Sequence, residues 1–133
     1  MRNKNTTLTY KWFQEVWNNG RREAIDEFLA DNVIVYGMGP DRYIQGIEAF
    51  KKFYDDFRKQ VNDVRVEVAD VVSQDDIETG LCHVTAVHTA SKKKVDFSGL
   101  CMVRIQDGKI AEAWNHYDFL RMYQQAGYAL TMI

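Results

Sequence analysis

Asp107-Gly108 constrains this chain more than any other dipeptide, because a turn of that kind dictates how the runs on either side of it pair. Both flanks, about Val95–Ile105 and Ile110–Tyr117, are rich in strand formers. Read as a two-residue hairpin loop, the turn sets Ile105 opposite Ile110 and Val103 opposite Glu112. Cys101 then lies beside Trp114, Gly99 beside His116 and Phe97 beside Asp118. Alternation places Ile110, Glu112, Trp114, His116 and Asp118 on one face. Solvent-facing stripes seldom carry Trp, and core stripes seldom carry His and Asp together. A pocket wall explains both, and a glycine opposite the histidine leaves a hollow for a ligand. The register rests on the turn alone, and a slip of one residue would reverse every facing.

The rest of the chain supplies a core for such a sheet. With 133 residues, 46% of them hydrophobic, it reads as one domain. A formal net charge of -2 leaves no footprint for nucleic acid, and Lys92-Lys93-Lys94 falls where a solvated hairpin loop is expected. The N-terminus has no apolar signal-like run, and no segment approaches the ~20 apolar residues of a membrane span. Cys82 and Cys101 suit buried thiols in a reduced, cytoplasmic protein.

Helices come first and strands afterwards. Leu8, Phe13, Val16 and Trp17 recur at helical spacing, with Thr6 or Thr7 as cap and Gly20 as stop. A short helix follows over Arg21–Ala30, then a strand over Val33–Tyr36 and a turn-rich loop holding the chain's one proline, Pro40. Ile47–Val61 reads as a third helix, whose stripe includes Phe50, Phe53, Tyr54 and Phe57. Strands around Val64–Ala69, Leu81–Ala90, Val95–Ile105 and Ile110–Tyr117 form an antiparallel meander, and Asp118–Ala126 a last helix ended by Gly127. Grouped helices followed by consecutive hairpins indicate α+β.

Three stretches carry a family resemblance: Val16–Leu29, Gly46–Phe50, and Asp107–Trp114 followed by Asp118. Together they resemble the SnoaL-like polyketide cyclases, from about Tyr10 to Gly127. The resemblance implies the NTF2-like fold, a curved antiparallel sheet wrapped by three N-terminal helices into a cone around an apolar pocket. It also implies cofactor-independent chemistry of polyketide-cyclase or ketosteroid-isomerase type. In that chemistry an aspartate removes a proton next to a carbonyl, leading to cyclisation or isomerisation of a hydrophobic substrate. The matching aspartate is Asp118. An apolar wall of Phe97 and Trp114 would raise its pKa by desolvation and make it a base; as a helix cap it would instead be held ionised. The same scaffold also serves non-catalytic ligand-binding and assembly domains, so that reading stands beside the enzyme.

Many relatives end in Trp-Asp-x-x-Asp, whereas here the second position is Asn115 and His116 follows. His116, ~7 Å along the strand from Asp118, is a candidate general acid or a structural histidine. Trp114, Phe97, Gly99, Cys101, Trp17, Tyr36 and Phe53 are the expected substrate-binding residues. His83 and His88 lie at odd separation on one strand, so one of them faces the pocket and the other does not. That strand lacks the Arg-x-Asp pair of the limonene-epoxide-hydrolase relatives. No HxxxH or HxH spacing suggests a metal. The apolar end Tyr128, Leu130, Met132 and Ile133 either folds over the cone mouth or packs on a second copy, and a homodimer through the outer sheet face is expected.

Overall fold

Thr7 opens the helical layer, its hydroxyl accepting a hydrogen bond from the Tyr10 amide. The helix it starts, α1 (Leu8–Trp12), has a second cap from far along the chain. The buried Glu78 carboxylate accepts from the Leu8 and Thr9 amides and from the Thr9 hydroxyl, at 3.3, 2.8 and 2.8 Å. First-turn amides that would lack partners are thereby satisfied. The chain continues in wider π-helical turns over Phe13–Asn18, which bury Phe13, Val16 and Trp17. Asn18 then clasps the Val66 backbone, donating to its carbonyl at 2.8 Å and accepting from its amide at 2.7 Å. Gly20, at φ +66°, ends the helical run.

The computed structural model describes residues 3–132; Met1, Arg2 and Ile133 lie outside the described residues. The remaining helices are α2 (Ala24–Phe28), α3 (Ile47–Gln60) and α4 (Phe119–Gln125). Six strands, β1 (Leu29–Tyr36), β2 (Tyr43–Gln45), β3 (Val61–Gln74), β4 (Ile77–His88), β5 (Lys94–Gln106) and β6 (Lys109–Tyr117), form one sheet in the order β2-β1-β6-β5-β4-β3. The fold is the expected α+β cone, with the sheet mixed rather than wholly antiparallel. All pairings are antiparallel except that of β1 with β6, which the intervening α3 and β3–β5 meander bring alongside in the same direction. Among the described residues no helix is long and apolar enough to cross a membrane.

Two registers decide what faces inward. Between β4 and β5, Val84 stands opposite Phe97 and Val87 opposite Lys94, which decides between His83 and His88 in favour of His88 as the inward one. Cys82, Val84 and Ala86 point inward with it, opposite or diagonal to Phe97 and Cys101.

Between β5 and β6 the outcome differs. Asp107 (φ +52°) and Gly108 (φ +77°) form the two-residue turn, with Gln106 opposite Lys109 and Ile105 opposite Ile110. The next pair is Arg104 with Glu112, so Ala111 is an extra residue, a β-bulge. Beyond it the pairing has slipped by one: Met102 faces Trp114, Cys101 faces Asn115, Leu100 faces His116 and Gly99 faces Tyr117. Ala113, Asn115 and Tyr117 therefore take the inner face, and Trp114 and His116 the outer one.

Candidate functional site

The helices and the inner sheet face enclose a cavity of about 70 Å³. Its wall is almost wholly apolar, with Trp12, Trp17, Phe57, Phe97 and Phe119 among the large side chains. Thr9, Cys101, Asn115 and Tyr117 supply the polar atoms; among the described residues lining it there is no carboxylate, imidazole or cationic group.

Tyr117 is the centre of this arrangement. Its ring lies on the sheet over Gly99, where a Cβ would come within 2.4 Å of the ring and 2.6 Å of the His116 carbonyl. Phe97 and Phe119 flank the ring at centroid distances of 6.4 and 5.9 Å. The hydroxyl so placed is buried and has no oxygen or nitrogen partner, the one buried side-chain polar atom in that condition among the described residues; its polar neighbours are the thiols of Cys82 and Cys101, weak hydrogen-bonding groups at best. Burial first, and then the neighbouring Cys101 and Cys82 sulfurs, push its pKa well above the usual tyrosine value. The two cysteines are free, buried thiols. Cys101 is itself raised, by its hydrogen bond with Cys82 and by burial, so it stays protonated. The same hydrogen bond draws Cys82, which is not among the residues lining the cavity, down from its ordinary value.

Asn115 stands next to Tyr117 on the same face. Its amide nitrogen donates to the Tyr36 carbonyl at 3.0 Å, and no hydrogen bond reaches its Oδ1 among the described residues. Close packing holds this corner. At Gly37 (φ +83°) a Cβ would lie 1.9 Å from the Asn115 carbonyl oxygen, so only glycine lets the chain pass over β6 and lay Met38 on the cavity.

Outside that wall is a larger groove of about 730 Å³, between the 38–45 segment, α3 and α4. Met38, Phe57 and Phe119 line both spaces.

Several expected site residues lie elsewhere, and the Ala111 bulge is the main cause. Asp118 is exposed and caps α4, accepting from the Arg121 amide at 3.0 Å. His116 is exposed on the outer face. Trp114 is also outside, stacked on Tyr36 at 5.8 Å with the rings 12° from parallel, so neither aromatic reaches the cavity. His83 is exposed, opposite Ser98. His88 faces inward but sits beyond the cavity, bonded through Nδ1 to Ser91 at 2.8 Å and covered by the Tyr128 ring. Phe53 lines the outer groove only. Trp17, Phe97 and Cys101 are in the cavity wall, and Gly99 is the floor under Tyr117. Tyr117 and Asn115 were missed, since alternation without the bulge puts both outside. Of the apolar tail, Tyr128 packs on His88 and Tyr123, while Leu130 (79%) and Met132 (99%) are exposed.

The sequence profile of the SnoaL-like polyketide cyclases matches residues 7–126. The chain belongs to that family. Among solved structures similar to this SnoaL-like chain is a candidate polyketide cyclase from Bacillus cereus ATCC 10987, 29% identical with a TM-score of 0.79, covering 90% of this chain and 78% of that one. A candidate SnoaL-like polyketide cyclase from Jannaschia sp. CCS1 superposes with a TM-score of 0.83 at 17% identity, over 98% of this chain and 99% of its own. A protein of ketosteroid-isomerase-like fold from Catenulispora acidiphila DSM 44928, crystallised with trimethylamine, gives 0.83 at 12% identity over 96% and 98%. At those two identities the likeness is one of fold. Comparison with curated proteins gives no match.

Proposed function

We propose that this SnoaL-like domain binds a small, neutral, hydrophobic carbonyl compound in its cone and holds the carbonyl oxygen on the Tyr117 hydroxyl. The observation that carries this is the buried hydroxyl without an oxygen or nitrogen partner, on a residue that lines the apolar cavity. Leaving such a group unsatisfied costs about 1–3 kcal/mol, which a ligand acceptor would recover. The ligand must be neutral, because the cavity wall offers no counter-charge and burying an unpaired ion there costs far more.

The same wall argues against acid/base proton abstraction by Asp118 and His116, the mechanism the family resemblance implies. Both side chains lie outside the cone. In relatives ending Trp-Asp-x-x-Asp the first aspartate corresponds to Asn115, which does face the cavity but carries an amide that cannot accept a proton near neutral pH. Tyr117 remains as a neutral acid able to polarise a carbonyl. Binding with polarisation, rather than turnover, is the function this geometry supports best.

Titration of 2-butanone against the fluorescence of Trp12 and Trp17 tests the site, together with proton NMR of the ketone in D2O. Saturable binding that weakens in Tyr117→Phe, without protein-dependent deuterium exchange next to the carbonyl, is the expected result. Rapid exchange by the wild-type protein would instead establish a base. Asn115→Asp places a carboxylate beside the bound carbonyl and should introduce exchange that the wild type lacks.

Two wider readings accompany the site. Unpaired Cys82 and Cys101 fit a reducing compartment such as the cytoplasm. The outer sheet face, where Tyr36, Tyr43 and Trp114 cluster beside exposed Leu100 (51%) and Met102 (36%), fits a self-complementary homodimer interface.

A further inference from the structure

The inner cavity is too small for the ligands an apolar cone is suited to. At ~10–15 Å³ for each water-sized group, 70 Å³ admits about five such groups, whereas pockets for drug-sized ligands run to roughly 300–1,000 Å³. The groove of about 730 Å³ outside it lies in that range, has an apolar floor of Ile44, Phe53, Phe57 and Phe119, and shares three wall residues with the cavity. Phe57 and Phe119 are held by ring contacts with Trp17 and Phe97 at 5.7 and 5.6 Å. Met38 differs. It is an unbranched side chain on a loop, between Gly37 at φ +83° and Gly39 at φ +79°, and it is the member of the partition best able to swing aside.

Resting on the proposed carbonyl site, we infer that cavity and groove are two halves of one site for an elongated ligand, a long-chain ketone or similar neutral amphiphile. A small head threads past Met38 to Tyr117, and an apolar body lies in the groove between the 38–45 segment, α3 and α4. Two features of the groove fit a body rather than a second head. Its charged groups are exposed at the rim, Lys52 and Asp56 paired with each other at 2.8 Å and Asp41 on the loop, and its floor carries no unsatisfied buried polar atom among the described residues. The specificity of the head thus belongs to Tyr117 and Asn115, and the affinity belongs to the groove.

A methyl-ketone series, from 2-butanone through 2-heptanone and 2-nonanone to 2-undecanone, separates the two halves. Binding should tighten about three- to fourfold for each added methylene beyond the size of the cavity. Tyr117→Phe should weaken every member by a similar factor, roughly 2- to 12-fold. Ala49→Trp, at an exposed α3 position lining the groove, should flatten the length dependence, and Met38→Ala should speed the entry of the long ketones. Affinity that stays level beyond 2-butanone, with Tyr117→Phe still weakening the short ketone, would overturn the two-part site and leave the carbonyl site standing. Length dependence that survives Ala49→Trp would overturn the groove as the seat of the body. No binding of any member, or binding indifferent to Tyr117→Phe, would remove the carbonyl site and this inference with it.

Discussion

Tyr117 carries a hydroxyl that the folded protein desolvates and leaves with only thiols beside it, a cost justified when a ligand oxygen makes the missing bond. Two consequences follow for Tyr117→Phe. The ligand-free variant should be more stable than the wild type by about 1 kcal/mol in urea denaturation, while losing affinity for the ketone. A variant that is less stable and binds equally well would contradict the role. The ionisation of the same phenol gives a pH test. Its pKa is raised in the folded state, so above the ordinary value of 10.0 the unfolded chain releases a proton that the folded chain keeps. Stability is therefore full below about pH 10 and declines as the pH rises beyond it, and part of that decline should vanish in Tyr117→Phe when denaturation at about pH 8 and about pH 11 is compared. Asp118 makes the opposite prediction. As the exposed cap of α4, Asp118→Ala should lower stability by about 1 kcal/mol and leave ketone binding unchanged.

The element that decides the site is β6. Its turn, its strand and the inner face of its neighbour β5 are all legible in the sequence, because Asp107-Gly108 and the alternation of Val95, Phe97, Cys101 and Val103 are direct consequences of backbone geometry. The β4 facing is not legible, since the odd separation of His83 and His88 says that one of them faces inward but not which, and no turn dipeptide fixes the register of that hairpin. The Ala111 bulge is not legible: alanine has no mark that separates a bulged position from a regular one, and one extra residue exchanges the two faces of everything after it. The physical anchor of the slipped register is on the outside. Arg104 Nε lies 3.2 Å from the Glu112 carboxylate, and its Nη1 lies 3.1 Å from that of Asp76. Glu112 was expected in the pocket wall, but its partner is across the strand pair on the outer face. Deleting Ala111 would restore regular pairing and drive Trp114 and His116 inward while expelling Tyr117. Loss of a cooperative unfolding transition, or destabilisation beyond about 4 kcal/mol, is expected by circular dichroism. A native-like, ketone-binding deletion variant would show that the bulge does not set the facing.

For the molecule as a whole, the proposed reading assigns the outer face to association and the cone to ligand. A face with Leu100, Met102, Tyr36, Tyr43 and Trp114 toward solvent is an unstable ending for a monomer, and a two-fold dimer would cover it without touching the cavity. Light scattering at micromolar concentration should report twice 15.5 kDa, and Leu100→Glu should return the single-chain mass with ketone binding retained. A mass of 15.5 kDa for the wild type would reject the dimer. The carbonyl site itself is tested most directly by a crystal structure of the protein with 2-nonanone. The expected result is a carbonyl oxygen within about 2.7–3.0 Å of Tyr117 Oη, with the alkyl chain running past Met38 into the groove beside Phe53. A ketone bound on the outer face at His116 and Trp114, with the Tyr117 hydroxyl still unpaired, would contradict it.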